Sequence, residues 1–395
     1  MLSAWLLPEH IADVLPAEAA RIEQLRRSLL DRARCCGFEL VIPPLLEHLE
    51  SLLSGTGREH DLRTFKLVDQ LSGRTLGLRG DTTPQAARID AHLLNREGVT
   101  RLCYCGPVLH TRPQGLRASR EPLQFGAEIF GHAGLEADLE AQELALDALR
   151  SAGVRKLVID LADARVLRGV LAGVPLDAAR LQDLVQALSE KDGPALDALA
   201  AGAPEGARRA LQSLLGLYGG HEVLAEAARV LPDRPLIRQA LDDLAWLASH
   251  LRAADPELQV GFDLSDMSGY AYYSGPRFAL YGAGWSDALA RGGRYDEVGA
   301  IFGRNRPAVG FSLDLKALAE VGRLPGRAGG ILAPWSEDAD LRTVVRRLRE
   351  GGEVVVFALP GHDQDGQAVA CDRELVAVGG RWVVQTRSAE PARPD

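Results

Sequence analysis

The chain has 395 residues, 46% hydrophobic and 25% charged, a soluble composition long enough for two or three domains with sizeable cores. A formal net charge of −9 argues against a chain whose main business is binding nucleic acid, although a local basic patch remains compatible with it. Five cysteines form an odd set without a C-x-x-C pair, and neither Cys35-Cys36 nor Cys103-x-Cys105 has zinc-ligand spacing. Reduced thiols in a cytoplasmic protein, with no disulfide and no metal, are therefore expected. The opening MLSAWLLPEHIADVLP has no basic flank, and nowhere do about 18 apolar residues follow one another, so neither export nor membrane spanning is expected.

Residues 17–36 carry helical periodicity through Ile22, Leu25, Leu29, Ala33 and Cys36, with Pro16 suited to a helix start and Gly37 to its end. Phe38 to Ile42 is a β-like run stopped by Pro43-Pro44. Thr64–Asp69 and Thr75–Leu78 read as a hairpin-like pair, and LRGDTTPQAARI then opens a helix. Asp81, Thr82 and Thr83 stand where N-cap residues stand and Pro84 in a first turn, so capping alone accounts for them.

Arg101–Leu109 and Leu123–Phe130 are β-like runs around a basic centre holding Arg112, Pro113, Gly115, Arg117 and Arg120, a hairpin with a long basic tip. In the second run Phe125, Ala127 and Ile129 point one way and Gln124, Gly126 and Glu128 the other. Gly126 is expected to leave an open gap between an amide and a carboxylate about 13 Å apart along the strand. A notch for a small polar ligand and a merely solvated strand face both fit these residues.

A helix is expected over 136–151 and a strand over Lys156–Leu161. From about 165 to 256 an Ala- and Leu-rich helical pattern, without a fixed repeat period, reads as an inserted subdomain. Leu258–Leu264 and Tyr270–Leu280 are the next strand candidates. A core over 1–324 is followed by a short α/β domain over 325–395, with strands expected at Gly330–Ala333, Glu353–Ala358 and Glu374–Val384, a helix at Ala339–Arg349 and an acidic loop HDQDGQ.

The stretch CGPVLHTRPQGLRASREPLQFGAEIFG, from Cys105 to Gly131, resembles the second signature motif of class II aminoacyl-tRNA synthetases in the form carried by histidyl-tRNA synthetase. The resemblance implies an α+β fold, a class II synthetase-like antiparallel sheet flanked by helices, with a helical insertion and a small C-terminal remnant of an anticodon-binding domain. The helix, strand and proline ending at Pro43 are similar to the first motif, which implies a dimer of the core. LRGDTT is similar to the LRPEGT loop, implying that Asp81 and Thr83 hold the α-amine of histidine. DMSGYAYYSG resembles the LVRGLDYYN signature, implying that Tyr272 and Tyr273 close over an imidazole, and Gln124 and Glu128 complete this amino-acid half of the pocket.

The same resemblance assigns arginines that handle ATP to three positions, occupied here by His110, Ser268 and, in the third motif running from Gly292 through Tyr295 to Leu318, Ala317. A guanidinium offers phosphate a rigid fork of donors that none of these side chains reproduces. No catalysis and no cofactor are implied. An amino-acid half kept while the ATP half is lost resembles the synthetase-like family of regulatory subunits of ATP phosphoribosyltransferase, which implies a short-form catalytic subunit as partner and L-histidine as feedback ligand. A synthetase-like protein that binds tRNA or regulates translation is the alternative, against which the net charge and the short C-terminal domain speak.

Overall fold

The computed structural model describes residues 6–52, 62–113, 118–322, 329–361 and 371–387. Gly115 and Arg117 of the basic tip and the HDQDGQ stretch lie outside them. The first helix forms as Pro16–Cys35, because Ile22, Leu25, Leu29 and Ala33 fall on one stripe and are buried together. Each fully buried leucine there contributes roughly 1.5–3 kcal/mol. Gly37, at φ 81°, turns the chain out of the helix.

The chain divides into two compact units, Met1–Leu324 and Pro325–Asp395. In the first, the described residues form a sheet from β1 (Glu39–Leu40), β5 (Thr100–Pro107), β6 (Leu123–Phe130), β7 (Val158–Asp163), β8 (Tyr218–Gly219), β9 (Gln259–Asp263), β10 (Pro276–Tyr281), β11 (Ala290–Arg294) and β12 (Ala308–Asp314). Their order is β1-β5-β6-β12-β11-β10-β7-β9-β8, antiparallel except where β1 joins β5 and β7 joins β9. The architecture is α+β. A small sheet beside it has the order β2-β4-β3, from β2 (Leu46–His48), β3 (Lys66–Val68) and β4 (Thr75–Leu78).

Phe125, Ala127 and Ile129 of β6 share a face with Phe311 of β12 and Phe278 of β10, and this face forms the main core with the helices Pro16–Cys35, Leu135–Ser151 and Pro235–Ala254. The opposite face is not solvated: Gln124 is 9% exposed and Glu128 1%. Ala86 and Ala87 of the short helix Thr83–Arg88 cover part of it by packing with Leu102, Tyr104 and Phe130. Between β7 and β9 the chain forms helices from Ala164–Leu171 to Pro235–Ala254, three of which are capped by the carboxylates of Asp163, Asp177 and Asp192.

Two expected strands differ in the structure. Tyr270–Ser274 is a turn rather than the start of β10: Gly269 adopts φ 70°, and its carbonyl accepts from the amides of both Tyr272 and Tyr273. In the second unit Glu374–Val384 is a hairpin of β15 (Cys371–Val378) and β16 (Arg381–Thr386), because Gly379 and Gly380 both take positive φ, as a two-residue hairpin loop requires. With β13 (Gly330–Pro334) and β14 (Val355–Ala358) the order is β14-β13-β15-β16, and Ile331, Leu341, Val345 and Leu375 build the core against the helix Ala339–Glu350. No helix among the described residues is long and apolar enough to cross a membrane.

Candidate ligand-binding site

The polar face of β6 lies at the base of a cavity of about 170 Å³, lined by Asp81, Thr83, Glu128, Tyr272, Tyr273 and Arg291, with Tyr295, Phe311, Ser312 and the glycines 269, 292 and 310. That is smaller than the roughly 300–1,000 Å³ of sites for drug-sized ligands and suits a small metabolite.

The floor is Glu128. Its Oε1 accepts from the Tyr104 hydroxyl at 2.9 Å and its Oε2 from the Tyr295 hydroxyl at 2.5 Å. Burial pushes its carboxyl up to about 8, while the hydrogen bonds from Tyr295 and Tyr104 pull the other way. Burial also holds Tyr104, Tyr272 and Tyr295 well above the usual phenol range and pushes Tyr273 up to about 12, so all four remain hydroxyls at neutral pH. The open gap expected over Gly126 is not there. Tyr104, opposite Gly126 across the β5–β6 pair, lays its ring in the space a Cβ would take, and from there its hydroxyl reaches both Glu128 and, at 2.8 Å, Thr83 Oγ1.

The wall is the loop before the helix Thr83–Arg88. Asp81 Oδ1 accepts from the Thr83 amide at 3.1 Å and from Gln124 Nε2 at 2.8 Å, while Gln124 Oε1 accepts from the Thr82 amide at 2.9 Å. Gln124 therefore does not line the cavity but locks the Asp81 loop to β6. The Thr82 hydroxyl makes no capping bond; the first helical amide, that of Thr83, is taken by the Asp81 carboxylate instead.

The roof is the Gly269 turn. Tyr272 stacks on Tyr295 with ring centroids 4.9 Å apart and meets Tyr273 edge-on at 5.5 Å. Arg168, on the helix Ala164–Leu171, donates to the Tyr273 carbonyl at 2.7 Å and so fastens the turn to the helical region. The Tyr272 hydroxyl is buried without a hydrogen-bond partner among the described residues, although such groups are rarely left unpaired. A polar ligand atom would satisfy it.

The three positions where the resemblance puts ATP-handling arginines lie off the cavity lining. His110 is buried with Nε2 2.8 Å from the Gly80 carbonyl, so it steadies the residue before Asp81. Ser268 is exposed and donates to Asp266 Oδ1 at 2.7 Å, and Ala317 lies on the helix Leu315–Val321. Sequence reasoning missed Tyr104, Tyr295 and Arg291. Tyr295 was visible inside the Gly-Gly-Arg-Tyr-Asp run, whereas Tyr104 needed the β5–β6 register and Arg291 the register of β11 with β12.

A helix-backed, largely antiparallel sheet carrying two carboxylates under paired tyrosines defines a histidyl-tRNA synthetase-like protein. The family model described as histidyl-tRNA synthetase matches residues 10–318, and that of the ATP phosphoribosyltransferase subunit HisZ C-terminal domain matches residues 328–385. ATP phosphoribosyltransferase regulatory subunits from Verminephrobacter eiseniae and Albidiferax ferrireducens are 62% and 61% identical, each covering 97% of this chain and 100% and 99% of their own length. The crystal structure of an ATP phosphoribosyltransferase regulatory subunit/histidyl-tRNA synthetase from Bacillus halodurans C superposes with a TM-score of 0.80 at 26% identity, over 92% of this chain and 96% of that one. The chain belongs to the family of ATP phosphoribosyltransferase regulatory subunits.

Proposed function

We propose that the chain senses free L-histidine and, joined to a short-form catalytic subunit, makes the condensation of ATP with phosphoribosyl pyrophosphate responsive to it. The observation that carries this reading is the convergence of two carboxylates, the half-buried Asp81 and the fully buried Glu128, on one small cavity roofed by Tyr272 and Tyr273. Asp81 takes the ammonium, with Thr83 beside it, and Glu128 accepts from an imidazole N–H; each role follows from donor and acceptor type. Gln124 positions Asp81. The phosphate side of a synthetase site has no counterpart at His110, Ser268 or Ala317, which supports a non-catalytic role, since one preorganised charge commonly contributes about two to three orders of magnitude in rate.

For histidine to inhibit a distant catalytic site it must bind one state of the assembly better than another, and the coupling must be reciprocal. The decisive experiment is co-purification of the chain with a short-form phosphoribosyltransferase, followed by assay with and without histidine. Activity in the assembled pair that falls with histidine is expected. Glu128→Ala should weaken histidine by roughly one to two orders of magnitude, because a buried imidazole N–H left without its acceptor costs about 1–3 kcal/mol. Unchanged affinity and unchanged inhibition in that variant would rule this cavity out as the regulatory site.

A further inference from the structure

We infer that Arg291 binds the carboxylate of a zwitterionic amino acid in this cavity, and so selects the free amino acid over the amine with the same side chain. The inference rests on the amino-acid reading proposed above and adds a third anchor to it.

Arg291 is the cation among the described residues that line the cavity, alongside the carboxylates Asp81 and Glu128. Two acceptors and one fork of donors match a ligand with two donor ends and one anionic end. The register places them together. Arg291 on β11 is opposite Ser312 on β12, and Ser312 is opposite Gly126 on β6. Glu128, two residues beyond Gly126, is opposite Gly310, which is opposite Gly293. Alternate residues share a face, so Arg291 and Glu128 rise from the same side of the sheet on strands about 10 Å apart. Gly310 between them carries no side chain, and the Glu128 carboxylate lies in the space above it.

Burial is the largest influence on the Tyr273 hydroxyl, followed by Arg277, itself paired with Asp266, while Asp81 and Glu128 act on it in the opposite sense from Arg277 and Arg291. Tyr273, Asp81, Glu128 and Arg291 line the same cavity. Arg291 is paired with Asp287, 3.1 Å away, and both side chains are largely exposed, 43% and 63%. An exposed, solvent-screened pair of this kind is weak, so Asp287 competes weakly with a carboxylate held in the cavity.

The test is titration calorimetry of the full chain with L-histidine and with histamine, which has the ring and the ammonium without the carboxylate. Wild type is expected to prefer histidine by about 10- to 100-fold. Arg291→Gln should abolish that preference while leaving histamine affinity as it was, which also shows that the variant is folded, and Arg291→Lys should keep part of it. An unchanged histidine-to-histamine ratio in Arg291→Gln overturns the inference and leaves histidine sensing standing. Equal weakening of both ligands overturns it as well, because a purely structural role acts that way. Failure of wild type to bind either ligand removes the amino-acid reading and this inference together.

Discussion

The Glu128 carboxylate on β6 lies across Gly310 on β12, so close that a Cβ on Gly310 would overlap it. Tyr104 lies across Gly126 in the same way. These two glycines are needed for space rather than for an unusual φ, and together they let a carboxylate and the phenol that donates to it lie flat against the sheet.

Gly310→Ala should therefore destabilise the chain by about 1–3 kcal/mol, the usual range for overpacking a filled interior, and displace Glu128. Chemical denaturation should show the loss, and calorimetry should show weaker histidine binding. A variant with unchanged stability and affinity would mean that the floor can rearrange around the methyl group.

Glu128 also predicts a pH dependence. Its carboxyl stands at about 8 in the folded chain against 4.5 otherwise, with burial the largest cause. Between those values the folded state keeps a proton that the unfolded chain has released, so stability falls as pH rises from about 4.5 to about 8. The contribution is on the order of a few kcal/mol. Denaturation midpoints at acid and alkaline pH should fall more steeply for wild type than for Glu128→Gln, a difference in which other titrating groups cancel. Parallel profiles would show that Glu128 is ionised throughout.

Histidine-dependent exchange of pyrophosphate into ATP should be absent from the pure chain, because His110, Ser268 and Ala317 offer no guanidinium to phosphate. Exchange above background would overturn the reading of a sensor without catalysis.

The core should self-associate. β1 is the outermost strand of the large sheet, and Leu40 and the adjoining Ile42 are 49% and 82% exposed just before Pro43. Sedimentation at micromolar concentration is expected to give a dimer, and Ile42→Asp should weaken it by roughly tenfold or more if this patch is central. A monomeric wild type would contradict the expectation.

Local pattern was enough for several parts of this protein. The stripe Ile22, Leu25, Leu29, Ala33 defines a helix, and the alternation from Gln124 to Ile129 defines a strand with one apolar face, because side-chain periodicity follows directly from backbone geometry. Asp81, Thr83, Glu128, Tyr272 and Tyr273 could be named from motifs along the chain. Whether the polar face of β6 met water or a pocket could not be read that way. Its burial comes from Tyr104, 24 residues from Glu128 in sequence, and Tyr295, 167 residues away. Arg291 joins the cavity only through β12, and Tyr272 and Tyr273 form a roof only because the Gly269 turn, fastened by Arg168, takes them off the strand. Cross-strand register and burial are properties of neighbours remote in sequence, and they decide which polar side chains lose water and so become able to bind.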